Sequence, residues 1–339
     1  MSNYSKEIQS SMDADTQSST DSAGQNNMKK TILGILVSAF CFSTMEIALK
    51  IGGNSLDPIQ MTFLRFFIGG LVLTPFAVRE TRARLAAGGL DHKAGKSDER
   101  RKMTVRDIIS ARDLGWVCLV GIVGVSISML FFQFGVGRSN AATAAALIST
   151  TPLFTMLIAH VFTSEKMDRL RWIAFVIGLM AIVFMTRPWD IQEGNSIAGI
   201  IFMLCAAIAF GVYTVMGKRT LERVGLFTQT ALSFFVGSLV LLIVLWITGR
   251  PVIAGVADQW ILVLYAGVVV TGIGYLFYFL GVQSSDATTG SITYFIKPIL
   301  APALAMLILH ETILWNTVLG IALLTLASFI TLYDARRNR

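Results

Sequence analysis

The stretch TFLRFFIGGLVL at residues 62–73 recurs, without gaps, as TALSFFVGSLVL at residues 230–241, and eight of the twelve positions are identical. A second gap-free match relates residues 121–165 to residues 267–311, and its identical pairs include two of glycine, one of proline and one of glutamate. Chance is a poor explanation for two such matches, even in apolar sequence. The chain therefore contains an internal duplication that covers most of its length.

Both matches lie in apolar blocks that are long enough to cross a membrane. The chain is 54% hydrophobic and 14% charged, whereas about 25% of the residues in a soluble domain are charged. About 20 helical residues, rising about 1.5 Å each, span the ~30 Å hydrocarbon layer. We predict ten spans, at residues 31–50, 57–78, 114–136, 140–162, 170–186, 196–217, 225–248, 257–282, 286–309 and 313–333. The expected fold class is an all-α integral membrane protein.

The duplication divides the ten predicted helices into two five-helix units, at residues 30–187 and 196–334. Because five is odd, a chain that weaves through the membrane inserts the two units from opposite sides. Such inverted repeats are typical of secondary transporters, whose substrate site lies near the bilayer midplane. Residues 1–29 are rich in Ser, Asn, Gln and Asp. They are predicted to form a disordered tail, since they lack the large apolar residues that offset the entropy of folding.

The 28 Lys and Arg residues are unevenly distributed among the predicted loops. If the N-terminus is cytoplasmic, twenty-two lie on the cytoplasmic side, four lie outside and two lie within spans. Short cytoplasmic loops retain Lys and Arg, so both termini of this multi-pass cell-membrane protein are predicted to be cytoplasmic. The basic loop at residues 79–113 is interpreted as an orientation signal, with contact to anionic lipid headgroups as the alternative. No nucleic-acid partner is needed to explain the positive charge.

Three segments resemble a known family: LRFFIGG at 64–70, GVGRSNAATAAALISTTPLFTMLIAHVFTSE at 135–165 and GVQSSDATTGSITYFIKPILAPALAMLILHE at 281–311. Each long segment begins with small residues, has a proline within the helix and ends in a glutamate. On these grounds the chain resembles the ten-helix drug/metabolite transporters with paired EamA domains, over nearly all of residues 30–334. The resemblance implies a central cavity lined mainly by the first, third, fourth, sixth, eighth and ninth helices.

Three charged residues, Glu46, Arg65 and Lys297, fall well inside predicted spans. A charge at the bilayer centre costs at least about 2.5–3.5 kcal/mol on insertion scales, and it must face protein or water. Lys297 precedes Pro298, whose ring removes a backbone hydrogen bond, so Lys297 is predicted to line the cavity and bind an anionic group of the substrate. Glu46 is its candidate counter-charge. The alternatives are a structural Glu46–Arg65 ion pair and a lysine that only holds helices together.

Further residues are candidates for the wall of the site or for its movement. The predicted wall residues are polar or aromatic and lie on the third, fourth, sixth, eighth and ninth helices: Gln133, Ser149, Thr150, Tyr213, Tyr275 and Tyr294. Pro152 and Pro298 are interpreted as paired kinks. Glu165 and Glu311 stand at helix C-termini, where the helix dipole disfavours an anion. They are interpreted as architectural residues, with a gate or proton relay as the alternative.

No metal or catalytic site is expected. Cys41, Cys118 and Cys205 are interpreted as inert core residues, because their spacing fits no metal motif. A phosphate-binding glycine loop is absent from the sequence, so neither a cofactor nor ATP hydrolysis is expected. The sequence also lacks a paired-His zinc motif, an intramembrane Asp pair and a nucleophile beside a base.

The predicted function is secondary transport of a small polar metabolite across the plasma membrane by alternating access. An amino acid or a related compound is the expected substrate, and export is the expected direction. One alternative is uptake of a cationic amine, which aromatic cages favour. An alternative of another class is a membrane-embedded enzyme. Coupling to a proton or another ion and formation of a homodimer are both compatible with the sequence.

Overall fold

A computed structural model describes residues 32–52, 56–94, 109–164, 166–187, 189–191, 193–283 and 293–337. The regular elements within these residues are all helices. In chain order they are α1 (Ile32–Gly52), α2 (Pro58–Ala94), α3 (Ala111–Gly137), α4 (Ala141–Phe162), α5 (Arg169–Thr186), α6 (Ile197–Val224), α7 (Leu226–Ile247), α8 (260–283), α9 (Thr293–Leu309) and α10 (Trp315–Arg337).

Eight of the described helices, α1 to α8, are long and apolar enough to cross a membrane. Two shorter apolar stretches, Ile296–Leu309 and Trp315–Thr331, lie in α9 and α10. The helices also expose apolar side chains on their outer surfaces, for example Ile173, Val176 and Leu179 on α5. Soluble proteins rarely expose large apolar patches, whereas lipid solvates them. The chain is therefore a multi-pass membrane protein.

The observed helices extend furthest beyond the predicted spans at two ends that are predicted to be cytoplasmic. α2 continues to Ala94 instead of ending at residue 78, so the first part of the segment predicted as a loop is helical. α6 continues to Val224 instead of residue 217. The predicted spans stop where charged residues begin, but the Leu, Arg and Glu residues that both extensions contain favour helix. The predicted start of α9 at residue 286 and the predicted tail lie outside the described residues.

The helices pack in pairs that join the first five to the last five. α2 packs chiefly against α7, α5 packs against α10, and α4 contacts α9. α3 packs against α6 and α7, while α8 packs against α2. α2 and α7 are the second helices of their halves, and α3 and α8 are the third. The α3–α7 and α8–α2 contacts are therefore equivalent.

Close glycine contacts follow the same equivalence. A Cβ atom added to Gly69 would lie 2.6 Å from Thr271 Cγ2, and one added to Gly237 would lie 2.4 Å from Val125 Cβ. In the sequence matches Gly69 aligns with Gly237, and Val125 aligns with Thr271. Equivalent residues of the two halves therefore make equivalent contacts, and a larger side chain at either glycine would push two helices apart.

Four helices are irregular near their middles. α3 and α8 contain π-helical stretches, Ile122–Ser128 and Tyr265–Ile273, which overlap in the sequence alignment. α1 has a turn at Thr44, and α4 has one at Ser149 and Thr150. Bulges of the π type are frequent at functional sites. All four helices belong to the set that the family resemblance implies as cavity-lining.

Candidate functional site

Lys297 and Glu46, the two predicted counter-charges, meet between α9 and α1. Lys297 Nζ lies 2.7 Å from Glu46 Oε1. Glu46 is completely buried and Lys297 is 6% exposed. Glu46 Oε2 has no hydrogen-bond partner among the described residues. Burial of an ion pair is costly, because the mutual attraction recovers only part of the lost hydration. The structure thus brings the two charges together, and their role in substrate binding stays a prediction.

Arg65 on α2 is a fully buried cation outside this ion pair. Its Nη1 lies 3.0 Å from Met45 Sδ and its Nη2 lies 3.2 Å from Met129 Sδ. The rings of Phe66 and Phe132 lie with their centroids 4.7 and 5.6 Å from the guanidinium carbon. Thioether sulfur is only a weak hydrogen-bond acceptor. Arg65 is therefore surrounded by soft, uncharged groups.

The direct Glu46–Arg65 ion pair considered from the sequence is absent from the described contacts. Glu46 instead contacts Lys297, and Arg65 interacts with Glu46 only electrostatically, at longer range. The Nε of Arg65 has no hydrogen-bond partner among the described residues. Depth in the membrane could be estimated from the sequence, but the direction of each side chain around its helix axis could not.

A row of aromatic rings leads from α1 to Arg65. The ring centroids of Phe42 and Tyr275 are 5.1 Å apart, those of Tyr275 and Phe234 are 5.2 Å apart, and those of Phe234 and Phe66 are 4.8 Å apart. Tyr275 is a predicted wall residue, whereas Phe66 and Phe234 are not among the predicted site residues. A signal for both was present in the sequence, because they align with each other in the duplicated stretch.

The break in α4 is stabilised by hydroxyl groups. Pro152, at the start of the second part of α4, has no N–H to donate to the preceding turn. The hydroxyls of Ser149, Thr150 and Thr151 donate to backbone carbonyls three or four residues earlier, at 2.6–2.7 Å. They satisfy carbonyls next to the break, as membrane helices require. The predicted contact of Ser149 and Thr150 with substrate remains a prediction.

Glu311 lies beyond the end of α9 and caps a helix of the other half. Its two carboxylate oxygens accept hydrogen bonds from the backbone N–H groups of Ala141, at 2.7 Å, and Ala142, at 3.0 Å, in the first turn of α4. The N-terminal end of a helix dipole favours an anion, which resolves the unfavourable position expected from the sequence. Glu165, the predicted counterpart, lies outside the described residues.

The remaining predicted residues are placed as follows. Tyr213 packs against the π-helical part of α3, where a Cβ added to Gly124 would lie 2.2 Å from its ring. Gln133 Oε1 is buried and has no hydrogen-bond partner among the described residues. Pro298 lies within α9, which continues through it as one helix. The side chain of Tyr294 lies outside the described residues.

A depression of about 480 Å³ lies at the end of the bundle where Glu311 caps α4. The described residues that line it include Lys50, Asn140, Glu193 and His310, whereas neither Glu46 nor Lys297 is among them. His310 has a φ of 54°, in the left-handed region that non-glycine residues rarely adopt. The depression is therefore a separate feature from the buried charges.

A multi-pass helical bundle that buries charged side chains between its helices has the architecture of a membrane transport protein. Similarity to known proteins identifies the family of transport proteins. The model of the EamA-like transporter family matches the chain twice, over residues 29–187 and 197–333. The chain therefore belongs to the EamA-like transporter family. As a membrane transporter it interacts with a small-molecule substrate and with the lipid bilayer.

Individual relatives agree with this assignment. The chain is 35% identical to an uncharacterized transporter of Clostridium kluyveri, over 89% of this chain and 93% of that protein. It is 23% identical to a protein of Rickettsia prowazekii named S-adenosylmethionine uptake transporter, over 92% of this chain and 97% of that protein. A solved crystal structure shares the fold, with a TM-score of 0.60 at 18% identity, over 92% of this chain and 99% of the other.

Proposed function

We propose that this transporter is a secondary carrier of an amino acid or an amino-acid derivative. The supporting observation is the ion pair of Lys297 and Glu46, 2.7 Å apart and buried among the membrane helices. A zwitterion presents a carboxylate and an ammonium group, which are the chemical equivalents of these two side chains. The substrate can therefore replace the internal ion pair, with its carboxylate at Lys297 and its ammonium group at Glu46.

This exchange keeps the charges of Lys297 and Glu46 paired at each stage. The empty carrier holds one positive and one negative charge in contact, and the loaded carrier holds two such contacts. Neither ion is left unpaired in a low-dielectric environment, where removal of one partner costs about 3–5 kcal/mol. Binding remains reversible, because the substrate must break an existing ion pair before it forms its own. Reversible binding is what a carrier needs in order to release its substrate on the other side.

Alternating access between two inverted five-helix units is the movement that we propose. The family model matches both halves separately, and equivalent residues contact each other across the bundle. The ring centroids of Phe66 and Phe234 are 4.8 Å apart, and those of Phe67 and Phe235 are 5.9 Å apart. Each is a pair of aligned residues, as expected where a twofold axis passes between two repeats. Movement of one unit against the other would then open either side.

S-adenosylmethionine is a second candidate substrate, because the Rickettsia relative is named after it. Its ammonium and carboxylate groups could occupy the same two side chains. The aromatic row from Phe42 to Phe66 could contact its sulfonium group, since aromatic faces attract cations. This candidate would reverse the direction of transport, from the predicted export to uptake. A simple cationic amine fits less well. It could bind Glu46, but it has no anionic group for Lys297, whose positive charge would repel it.

Counterflow into proteoliposomes tests the proposal. The purified full-length chain is loaded with unlabelled amino acid, and the accumulation of labelled amino acid or S-adenosylmethionine is followed. Lys297→Ala is expected to abolish accumulation and Lys297→Arg to reduce it, because the larger guanidinium does not fit the position of the ammonium group. Lys166→Ala, at an exposed lysine between α4 and α5, is the matched control and should transport normally. Wild-type transport by Lys297→Ala would refute the proposed site.

A further inference from the structure

The described part of the membrane core contains one more cation than it has anions. Near Arg65 and Lys297, Glu46 is the one carboxylate of the described spans that is fully buried, and it contacts Lys297. Arg65 is equally buried and makes no ion pair with a described acidic residue. A guanidinium group at membrane depth is costly unless a partner or water compensates it. Among the described charges, that of Arg65 is therefore an excess positive charge without an ion-pair partner.

The contacts of Arg65 leave its hydrogen-bonding capacity largely unused. Guanidinium has five N–H donors in a planar fork that matches a carboxylate. In the structure, two of them reach only thioether sulfurs, of Met45 and Met129, and Nε reaches no described acceptor. A charge-assisted, bidentate bond to a carboxylate is much stronger than a contact with sulfur. Met side chains are also flexible, so they can move aside for a ligand.

Other buried polar atoms on the same helix faces also lack partners. Ser43 Oγ on α1 and Gln133 Oε1 on α3 have no hydrogen-bond partner among the described residues. Ser43 precedes Glu46 by three residues and Gln133 follows Met129 by four, and such spacings place side chains on one face of a helix. Native proteins leave few buried polar groups unsatisfied, and each one calls for an explanation. A polar ligand that contacts both Glu46 and Arg65 would lie against both helix faces and could satisfy these two atoms.

The duplicated scaffold does not require the charge at Arg65. Arg65 aligns with Ser233 in the second half, and Lys297 aligns with Thr151 in the first. α2 and α7 nevertheless pack against each other through equivalent aromatic residues. Each charge is therefore an addition to one half only, which is typical of a functional group and not of helix packing.

We propose that Arg65 binds a second anionic group of the substrate. This inference rests on the proposed function, and it assigns the α-carboxylate to Lys297, the ammonium group to Glu46 and an additional carboxylate to Arg65. The substrate then carries two negative charges and one positive charge, as aspartate and glutamate do. S-adenosylmethionine carries one negative and two positive charges, so the site of this chain differs in sign from what that compound requires.

Substrate preference in proteoliposomes tests the assignment. Wild-type protein is expected to accumulate labelled glutamate or aspartate with a KM at least about tenfold lower than that for alanine, as one charge-assisted hydrogen bond predicts. Arg65→Ser introduces the residue found at the equivalent position of the other half. It is expected to raise the KM for glutamate by about 10- to 100-fold and to leave the KM for alanine nearly unchanged. Arg82→Ser, at an exposed arginine of the same helix, is the matched control and should leave both KM values unchanged.

Three results would overturn the assignment, and they are distinguishable from failure of the proposed function. The first is a glutamate-to-alanine preference that Arg65→Ser leaves unchanged, and the second is equal transport of both amino acids by wild type. Either result would exclude Arg65 from the site, but the proposal of an amino-acid carrier would stand. Alanine transport that depends on chloride assigns an inorganic ion to Arg65 instead. If Arg65→Ser does not fold, Arg65→Lys should keep the preference with weaker affinity, and wild-type thermal stability should rise more with glutamate than with alanine. Absence of any amino-acid transport by wild type refutes the proposed function itself.

Discussion

At the scale of the residue, the energetics of Lys297 and Glu46 depend on which partner is removed. A single truncation leaves the other charge buried and unpaired, whereas replacement of both leaves uncharged groups of similar size at these two positions. Buried ion pairs replaced by matched uncharged residues often cost nothing. Loss of transport in a single variant therefore mixes a binding effect with a folding effect, and a double variant separates them.

The double variant Glu46→Gln, Lys297→Met is expected to fold about as stably as wild type and to transport nothing. Lys297→Met alone should lose about 3–5 kcal/mol of stability, because it leaves the Glu46 carboxylate without its partner. Thermal unfolding in detergent and counterflow measure the two effects on the same samples. Transport by the double variant would show that the ion pair only holds α1 and α9 together.

The sequence was informative about these residues to a limited extent. Charges within apolar blocks are visible because hydrocarbon penalises them wherever they point, so Glu46, Arg65 and Lys297 could be selected. Their partners depend on helix rotation and on the crossing of helices distant in sequence. For that reason the contact of Arg65 with Met45 and Met129 could not be predicted.

At the scale of the helix, charged side chains hold α2 to α7 at both ends. Glu80 accepts hydrogen bonds from the backbone N–H groups of Leu226 and Thr228, both at 2.9 Å. At the other end Arg250 Nη1 lies 2.5 Å from Asp57 Oδ2. α4 and α9 are joined by the cap of Glu311 at one end. If the two units move as proposed, the α2–α7 contact is thus suited to act as the pivot between them while α4 and α9 separate.

Glu311→Gln is expected to loosen the cap on α4. An amide can accept only one of the two N–H bonds in the same geometry, and it lacks the charge that the helix N-terminus favours. In a cysteine-free background, a cysteine introduced at Ala142 should therefore react faster with an impermeant thiol reagent added outside. Glu80→Gln, which alters a comparable cap on α7, is the control and should leave that rate unchanged. Equal rates with and without Glu311 would argue against a movable contact.

Close packing of α3 and α7 gives a test within one helix. A Cβ added to Gly121 would lie 2.6 Å from the carbonyl oxygen of Ser233, whereas one added to Gly115 would have nothing within 4 Å. Gly121→Ala is expected to destabilise the protein by about 1–3 kcal/mol through overpacking. Gly115→Ala should be neutral or slightly stabilising, since alanine favours helix. A lower melting temperature for Gly115→Ala than for Gly121→Ala would contradict the observed packing.

The helices themselves could largely be predicted, because apolar length is a local property of the sequence. Contacts between the halves could not. The alignment identified Glu311 as a repeated residue, but its hydrogen bonds to Ala141 and Ala142 join segments about 170 residues apart, as measured along the chain. α2 was cut short for a different reason, since hydropathy marks the edge of the membrane and not the end of a helix.

At the scale of the whole molecule, a duplicated framework holds charges that occur once. The pairs Phe66–Phe234 and Phe67–Phe235 relate the halves symmetrically, whereas Arg65 and Lys297 have uncharged counterparts. If the two units move as proposed, a framework with twofold symmetry can adopt two open states of similar energy that are related by the twofold axis, as alternating access requires. The single-copy charges between the halves would then be reached from either side.

The orientation of the molecule is the remaining whole-chain prediction, and it depends on the basic residues. Twenty-two of the 28 Lys and Arg residues are assigned to the cytoplasmic side, and the positive-inside rule favours that arrangement over its inverse. In intact cells, a cysteine at Ala83, in the exposed extension of α2, should therefore resist an impermeant thiol reagent. A cysteine at Glu193, between α5 and α6, should be labelled. Permeabilised cells, in which both cysteines should react, control for accessibility. Labelling of position 83 but not 193 in intact cells would invert the topology and place the Glu311 cap on the cytoplasmic side.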